Sequence, residues 1–524
     1  MVLFDKIIKG GTVYSGRNES PKQIDIAILD DRIVKLEADI DTQLGKEVID
    51  AKGLVITPGF IDPHASTGFG YFYPNAANHK LYQGITTEIF GNCGTSPAPI
   101  GKHLEPTMER LAEELDFPFN WSSLDSYFDK INDKLQFNIA TLIGHSTLRS
   151  GYLSDWHNVS DSDLKDMKNA TAQAMDEGAL GISTGLIYSP GCFAKTDEIV
   201  ALTKVAAEKG GIYASHIRNE REDIEEAVEE ALHIGDSANC RVLVSHLKSA
   251  EQQNLGKIPG IIDKIEDYNK THKEKAWVDV YPYTAVSTKL RAFIPKVFLA
   301  DGLAAISGKL EQDSAVAEIK AWVEMKGYLL DGMLVISNAT DESYVNKTIT
   351  EIANETEQTV AEVIVNVLLS DSDTWVVYHC ISEEDMDYAI KWPNAMICTD
   401  SWSYPINSPK VIGNPHPRSY GAFTTYLERY VIKNQHLSIE EGIYKITHLP
   451  AQVFNLDGRG LIEEGCFADL VAFDWKTIKA NATYLNPKQL SEGIVHLWVN
   501  GTRVIEHSKI MEVTPGKVLN LKKN

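Results

Sequence analysis

Short apolar runs alternate with longer amphipathic stretches through the middle of the chain, from about residue 54 to residue 400. This alternation is typical of βα units, in which buried parallel strands are joined by helices. The helical stretches include 198–211 and 221–240. Eight strand-like runs match the strand number of a (β/α)8 barrel, so we predict an α/β fold of this TIM-like type. In chain order the runs are LVITPGFID, TTEIFG, NIATLIGH, GALGIST, GIYASHI, RVLVSHLK, WVDVYPY and NAMICTD.

Both ends of the chain show a different pattern, in which apolar and polar residues alternate around Gly, Asp and Asn. This period is typical of strands with one buried face, bounded by turns. Because termini commonly lie close together, we predict that 1–58 and 461–524 form one small β-sandwich domain beside a barrel of 59–460. Two further apolar runs, 333–339 and 374–382, exceed the barrel count. We therefore predict an insertion at about 291–345, a candidate lid between the seventh and eighth strands.

Composition narrows the class of partner. The 524 residues carry a formal net charge of −23, with 43% hydrophobic and 23% charged residues. These proportions are typical of a soluble globular protein, and the acidic balance argues against nucleic acid as a partner. No apolar stretch approaches the roughly 20 residues of a membrane span, and the start lacks the apolar core of a signal peptide, so no membrane partner is expected. The six cysteines have no paired spacing, which favours reduced thiols and a cytoplasmic location. The oligomeric state stays open.

Residues able to bind a metal recur where the predicted strands end. A single such residue is commonly structural, but repeated placement at the strand ends of a barrel, where barrel enzymes keep their active sites, predicts a metal centre. Two imidazoles and a thiolate suit Zn²⁺, and three protein ligands leave a position for water. The residues are His64, Cys93, His145, His216, His246 and Asp400.

Asp400 is the carboxylate among these residues, and it could transfer a proton during hydrolysis. Zinc-bound water can lose a proton near neutral pH and act as a nucleophile. An adjacent carboxylate can accept that proton and deliver it to a leaving nitrogen, and Asp400 occupies the position for this role. Its alternative role is a helix N-cap after the eighth strand.

Several motifs, taken in order, resemble the amidohydrolase superfamily: PGFIDPH, GNCG, SHIRNE, SHLK and CTDS. More narrowly, GALGISTGLIYSPG, SHIRNE, DVYPYTA and HPRSYGAF are similar to the N-acyl-D-amino-acid deacylases, or D-aminoacylases. The resemblance spans nearly the whole chain, from the N-terminal strands to EEGCFADLVAFD. It implies a zinc-dependent hydrolase acting on carbon–nitrogen bonds other than peptide bonds.

The resemblance implies roles for individual residues. Cys93, His216 and His246 match the family's ligands of the tightly bound metal, and Asp400 matches its general base and acid. Metal-bound hydroxide would attack the amide carbonyl, and Asp400 would protonate the departing amine.

The family holds the substrate carboxylate with basic and hydroxyl groups near the sixth and seventh strands. The matching residues are Lys248, Tyr283 and Arg291. A cation and a phenol suit an anionic terminus, although from the residues alone Lys248 or Arg291 could equally be a solvated surface charge.

One position departs from the family pattern. The family carries His-X-His at the end of the first strand, whereas this chain has His64, Ala65 and Ser66. Those two histidines and the aspartate normally form a second, weaker metal site, of which His64 and Asp400 remain. A serine hydroxyl is a poor zinc ligand beside imidazole or thiolate. We therefore expect one tightly bound zinc ion and a weak or absent second site.

The expected activity is hydrolysis of an N-acyl-D-amino acid, a small-molecule substrate, to a D-amino acid and a carboxylate. One alternative is another amide, such as a D-residue-containing dipeptide or a cyclic amide, because architecture does not fix the substrate. A second is a catalytically degenerate binding protein, which only Ser66 favours. The sequence predicts neither the acyl group nor the side-chain preference. Three more polar residues have either a structural role or one near the pocket: His145, Arg149 and Arg418. His379 ends an extra strand and is expected to be structural rather than a ligand.

Overall fold

The computed structural model describes residues 3–66, 68–117, 119–299, 306–326, 330–403, 405–406 and 413–521. Its strands are β1 (Phe4–Lys9), β2 (Thr12–Val13), β3 (Lys22–Gln23), β4 (Asp25–Leu29), β5 (Arg32–Glu37), β6 (Gly45–Asp50), β7 (Val55–Pro58), β8 (Phe60–Asp62), β9 (Ile85–Phe90), β10 (Asn138–Thr141), β11 (Ile143–Gly144), β12 (Gly181–Gly185), β13 (Ile212–His216), β14 (Val242–Val244), β15 (Ala276–Val280), β16 (Ala285–Lys289), β17 (Leu334–Ser337), β18 (Trp375–His379), β19 (Ala395–Ile397), β20 (Leu470–Phe473), β21 (Ile494–Val499), β22 (Thr502–Glu506) and β23 (Lys509–Ile510).

Its helices are α1 (Asn78–Leu81), α2 (Glu105–Leu115), α3 (Leu124–Ile131), α4 (His145–Tyr152), α5 (Asp161–Asp176), α6 (Thr196–Ala207), α7 (Ile224–Ala238), α8 (Ile258–Thr271), α9 (Ile306–Leu310), α10 (Ala315–Lys326), α11 (Ile349–Thr356), α12 (Val360–Ser370), α13 (Glu383–Lys391), α14 (Arg418–Tyr426), α15 (Ile439–Ile446) and α16 (His448–Val453). A π-helical segment, Leu427–Lys433, continues α14.

Parallel strands form the middle of this α/β fold, and each of the eight predicted runs contains at least one strand. One sheet has the order β10-β9-β8, and a second has the order β11-β12-β13-β14-β15-β19. All neighbours in both sheets are parallel. Strands such as β9 and β12 are buried along their whole length, which is typical of parallel sheets covered on both faces.

The outermost strands of these two sheets also meet. Residues just beyond β8 and β19 form a parallel bridge between Ala65 and Ser401. The amide of Asp400 donates to the carbonyl of His64 at 3.0 Å, and that of Ser66 donates to the carbonyl of Ser401 at the same distance. The first and last strands of the predicted series are therefore hydrogen-bonded neighbours at their carboxyl ends.

Strands from both ends of the chain share one sheet, and a second sheet is formed by N-terminal strands alone. A seven-stranded sheet has the order β23-β22-β21-β20-β7-β2-β3, and a four-stranded sheet has the order β5-β4-β1-β6. In the first, β20 pairs antiparallel with β7. An apolar core joins the two chain ends and includes Ile8, Ile26, Ile56, Leu470 and Trp498.

The segment between β15 and β19 carries additional structure. An antiparallel sheet of order β16-β18-β17 is accompanied by helices α9 to α12. The two extra apolar runs, 333–339 and 374–382, form β17 and β18. This sheet begins before residue 291 and continues past residue 345, because its first strand, β16, pairs with its last, β18.

None of the helices in the described ranges could span a bilayer, because none is both long and apolar enough.

Candidate active site

Five of the predicted site residues lie together at the carboxyl ends of the parallel strands. His216 is the last residue of β13; the others follow the ends of β8, β9, β14 and β19 by two or three residues. Parallel strands direct their carboxyl ends to the same edge of a sheet, and this edge collects residues distant in sequence. The residues are His64, Cys93, His216, His246 and Asp400.

The Cys93 sulfur is the centre of this cluster. Its Sγ lies 3.3 Å from Nε2 of His64, 3.5 Å from Nδ1 of His216 and 3.4 Å from Nε2 of His246. Oδ1 of Asp400 lies 3.5 Å from the same Nε2 of His64. One donor atom from each of His64, Cys93, His246 and Asp400 falls within 4.8 Å of the others.

The donor set fits zinc. Imidazole nitrogen, thiolate sulfur and carboxylate oxygen are the ligands that Zn²⁺ prefers, and a compact buried group of them suits one small ion. Burial raises the pKa of the Cys93 thiol, but the His64 and His246 imidazoles outweigh burial and hold that pKa well below its usual value. The thiolate is the form that binds metal.

The backbone at three of these residues is left-handed. Cys93 has φ of 52°, His246 of 36° and Asp400 of 43°. L-residues seldom adopt this conformation, and when they do so at a functional site the surrounding contacts hold them there. The hydrogen bonds that fix these turns are therefore part of the site.

Two carboxylates orient the imidazoles, and both were missed by the sequence analysis. Asp279 accepts from the amide of His246 at 2.7 Å and lies 3.3 Å from Nδ1 of His64. Glu220 lies 3.1 Å from Nδ1 of His246 and 3.8 Å from Nε2 of His216. Metal-binding histidines commonly present their second nitrogen to such a carboxylate. The signal was available, since Glu220 lies in the SHIRNE motif and Asp279 in DVYPYTA.

Lys248 and Tyr283 border the same small cavity as His246. Lys248 is buried, donating from Nζ to Glu220 at 2.5 Å and lying 2.9 Å from Nδ1 of His246. The Tyr283 hydroxyl is hydrogen-bonded to Oγ1 of Thr425 at 2.9 Å.

Arg291 lies on a different set of contacts. Its guanidinium donates to the carbonyl of Ser372 at 2.8 Å and to the Asp373 carboxylate. The neighbouring Lys289 shares Asp373 at 2.9 Å. Arg291 is thus bound to the turn before β18, whereas Lys248 directly contacts a residue of the cluster.

Arg418 lies beside the catalytic candidate Asp400. Its Nη1 is 2.9 Å from Oδ2 of Asp400, and its guanidinium lies 4.5 Å from the centre of the Tyr281 ring. Burial raises the pKa of Asp400, but Arg418 first, and His246 and His64 after it, lower that pKa below its usual value. Among the described residues, Nε of Arg418 is buried without a hydrogen-bond partner.

The remaining candidates have structural contacts. His145 and Arg149 both bind the buried Glu198, at 2.9 and 2.6 Å. His379 is exposed and its ring packs 4.6 Å from that of Tyr484.

Comparisons with known proteins agree with this geometry. A model of the amidohydrolase family matches residues 47–254 and 411–505. N-acyl-D-aspartate deacylase of Alcaligenes xylosoxydans xylosoxydans is 32% identical, and the match covers 98% of this chain and 95% of the relative's length. D-aminoacylase of the same organism is 30% identical, and the match covers 98% of this chain and 97% of the relative's length.

A solved structure gives a likeness in three dimensions. N-acyl-D-glutamate deacylase from Bordetella bronchiseptica, in complex with zinc and a phosphonate mimic of the tetrahedral intermediate, has a TM-score of 0.84 at 28% identity, covering 99% of this chain and 100% of its own. A D-aminoacylase structure concerned with one-metal activation and second-metal attenuation of a binuclear centre has a TM-score of 0.83 at 29% identity, with the same coverage. The chain belongs to the amidohydrolase family.

Proposed function

We propose that this protein hydrolyses the amide bond of N-acyl-D-amino acids, releasing a D-amino acid and a carboxylate. The proposal rests on the three buried imidazoles of His64, His216 and His246 around the half-buried Cys93, with Asp400 at the edge of the group. The D-configuration of the substrate rests on the relatives, which are deacylases of N-acyl-D-aspartate and N-acyl-D-glutamate and a D-aminoacylase.

Cys93, His216 and His246 would hold one zinc ion. A zinc ion supplies Lewis acidity and lowers the pKa of a water molecule near it. Glu220 and Asp279 lie beside the Nδ1 atoms of His246 and His64, and would hold those two imidazoles in place.

Asp400 is the proton carrier. Arg418 fixes its Oδ2 and keeps the carboxylate ionised, which is the form that can accept a proton from water. As the water oxygen bonds to the amide carbon, that proton passes to Asp400. When the carbon–nitrogen bond breaks, Asp400 delivers it to the leaving nitrogen, so the carboxylate is regenerated.

The substrate carboxylate needs a cation within reach of this group. Lys248 meets the requirement, since its ammonium lies beside His246 and lines the cavity with Tyr283. Arg418 is a further candidate, because its buried Nε has a donor to offer. Arg291 remains a candidate, and to bind the substrate carboxylate its guanidinium would first have to leave Asp373.

We propose a single tightly bound zinc. Ser66 has no imidazole to offer a metal at the end of the first strand, and its backbone amide donates to the carbonyl of Ser401. His64 and Asp400 would then form at most a weak second site. The D-aminoacylase structure described for one-metal activation and second-metal attenuation supports a single activating ion in this chain.

We also propose that the parallel strands close into a (β/α)8 barrel within residues 59–460, which the hydrogen bonds between His64 and Asp400 and between Ser66 and Ser401 support. Residues 1–58 and 461–524 would form a separate β-sandwich domain. The segment from β16 to β18 would cover the site as a lid.

Six free cysteines support a reducing, cytoplasmic location.

The test is a substrate panel on zinc-loaded protein. Turnover of N-acetyl-D-aspartate, D-glutamate, D-leucine or D-methionine, with little or none of the L-forms, is expected. Preference for D-residue dipeptides or a hydantoin would move the function to another amide. Asp400→Asn should retain zinc and lose turnover by about 10²- to 10⁴-fold, the usual contribution of acid–base catalysis; near-normal turnover of that zinc-loaded variant would refute the mechanism.

A further inference from the structure

A fully buried ammonium contacts the chain segments that lead to the cluster. Lys80, on the short helix α1, is 0% exposed. Its Nζ lies 2.8 Å from Oδ2 of Asp62, 3.0 Å from Oε2 of Glu88 and 2.5 Å from Oγ1 of Thr399. Burial opposes the charge on Lys80, but Asp62 and Glu88 raise its pKa. Residues Asp62, Lys80, Glu88 and Thr399 are called the ammonium network below.

The ammonium network connects the chain segments that carry three of the site residues. Asp62 ends β8, two residues before His64. Glu88 lies in β9, which leads to Cys93. Thr399 directly precedes Asp400. One side chain therefore ties together the three chain segments that carry His64, Cys93 and Asp400.

Asp62 bonds directly to residues on two of these chain segments. It accepts from the amide and hydroxyl of Thr399, at 3.0 and 2.5 Å, and from the amide of His64 at 3.4 Å. Glu88 in turn accepts from the hydroxyls of Tyr71 and Ser403. These bonds fix the backbone on both sides of Asp400, whose φ of 43° needs such support.

Stability alone does not account for such a network. A buried ion pair is often no more stabilising than well-packed apolar residues, since each charge loses its hydration. Fixing the relative position of groups is a use that justifies its cost. Here the fixed groups are candidate ligands and the proton carrier.

We propose that Lys80 is a positioning residue, which holds the ends of β8, β9 and β19 so that His64, Cys93 and Asp400 keep their reactive arrangement. This inference rests on the proposed function for its kinetic consequence. The ammonium network contacts neither Lys248 nor Arg418 through any of the bonds above, so its loss changes kcat more than KM.

The test compares three variants. Lys80→Met removes the ammonium. Lys80→Met combined with Glu88→Gln removes one positive and one negative charge, which leaves the network's net charge unchanged. Lys445→Met is the matched control, because Lys445 is also 0% exposed but donates to the carbonyls of Trp392 and Ala395 at the opposite end of β19.

Both Lys80 variants are expected to lose about 10- to 100-fold in kcat, the range seen when groups that orient metal ligands are removed, with KM changed by less than about threefold. Lys445→Met should keep the wild-type kcat. The second readout needs no turnover: the thiolate-to-cobalt charge-transfer band of Co²⁺-loaded protein should shift or weaken in the Lys80 variants only.

Wild-type kcat and a wild-type cobalt spectrum in Lys80→Met would overturn the proposal. If that variant does not fold, the charge-matched double variant decides in the same way. If both fail to fold while Lys445→Met folds, the network serves folding itself and the positioning role is rejected. A wild-type protein that binds cobalt but hydrolyses no N-acyl-D-amino acid refutes the proposed function, and the cobalt spectra still decide this inference.

Discussion

Asp279 offers a sharp test because both of its site partners are donors. The carboxylate accepts from the amide of His246 at 2.7 Å and faces Nδ1 of His64 at 3.3 Å. Asp279→Asn keeps the shape but replaces one acceptor with a donor. Whichever way the amide is turned, either His246 or His64 then faces a second donor, unless His64 changes tautomer and places its proton on Nε2, the nitrogen facing Cys93.

The size of the effect follows from this mismatch. A buried donor left without an acceptor costs about 1–3 kcal/mol. If that cost falls on the orientation of the imidazoles, zinc affinity and kcat should fall by about 10- to 100-fold. The assay is zinc competition against a chromophoric chelator, followed by kcat at saturating zinc.

Asp25→Asn is the matched control. Asp25 is also buried and also has a partner on each carboxylate oxygen, in its case the amides of Gly10 at 3.1 Å and Ile40 at 2.9 Å. Its substitution should lower thermal stability and leave zinc affinity and kcat unchanged. If Asp279→Asn behaved like Asp25→Asn, the carboxylate would not orient the site and the reasoning would be refuted.

Three further predictions use other contacts of the site. Arg418→Met removes the main influence that lowers the pKa of Asp400, so that pKa should rise. Because the reaction needs the ionised carboxylate, the acid limb of the kcat/KM–pH profile should move to higher pH, and an unmoved limb would show that Asp400 does not set it. Ser66→His restores a second imidazole beside His64, so metal analysis should move from one toward two zinc ions per chain; an unchanged count would show that the serine is not what limits the second site. Lys248→Met should raise KM for N-acetyl-D-amino acids by about tenfold or more, since a charge-assisted bond is worth about 1.5–3 kcal/mol, whereas Arg291→Met should change KM less; the reverse order in initial-rate measurements would assign the carboxylate to Arg291.

Much of this arrangement could be predicted from local patterns. Buried parallel strands appear as apolar runs, so the strands that carry His64, Cys93, His216 and His246 could be located without a structure. The strand-end position of each residue then indicated that they meet. The order of motifs indicated the amidohydrolase family, which the comparisons confirm.

The supporting residues could not be predicted in this way. Lys80 lies on a helix of four residues, too short for a periodic pattern, and a lysine ordinarily belongs on the surface. Its partner Thr399 is 319 positions away along the chain. The packing of strands that are distant in sequence brings such groups together, and no local pattern encodes that distance.

The extent of the segment between β15 and β19 is a second example. The sequence placed the insertion at about 291–345, yet β16 precedes this range and pairs with β18, which follows it. The short antiparallel strands β17 and β18 are apolar, like the parallel strands before and after them. Their apolar composition therefore does not show which sheet each of them joins.

The zinc content of the purified protein tests the metal-dependent mechanism directly. We predict one zinc ion per chain, which a chelator releases together with activity and which restores activity when it is added back. A protein that retains no metal, or that hydrolyses N-acetyl-D-amino acids equally well without it, would contradict the metal-dependent mechanism. Two tightly held ions per chain would contradict the single-ion site that Ser66 predicts.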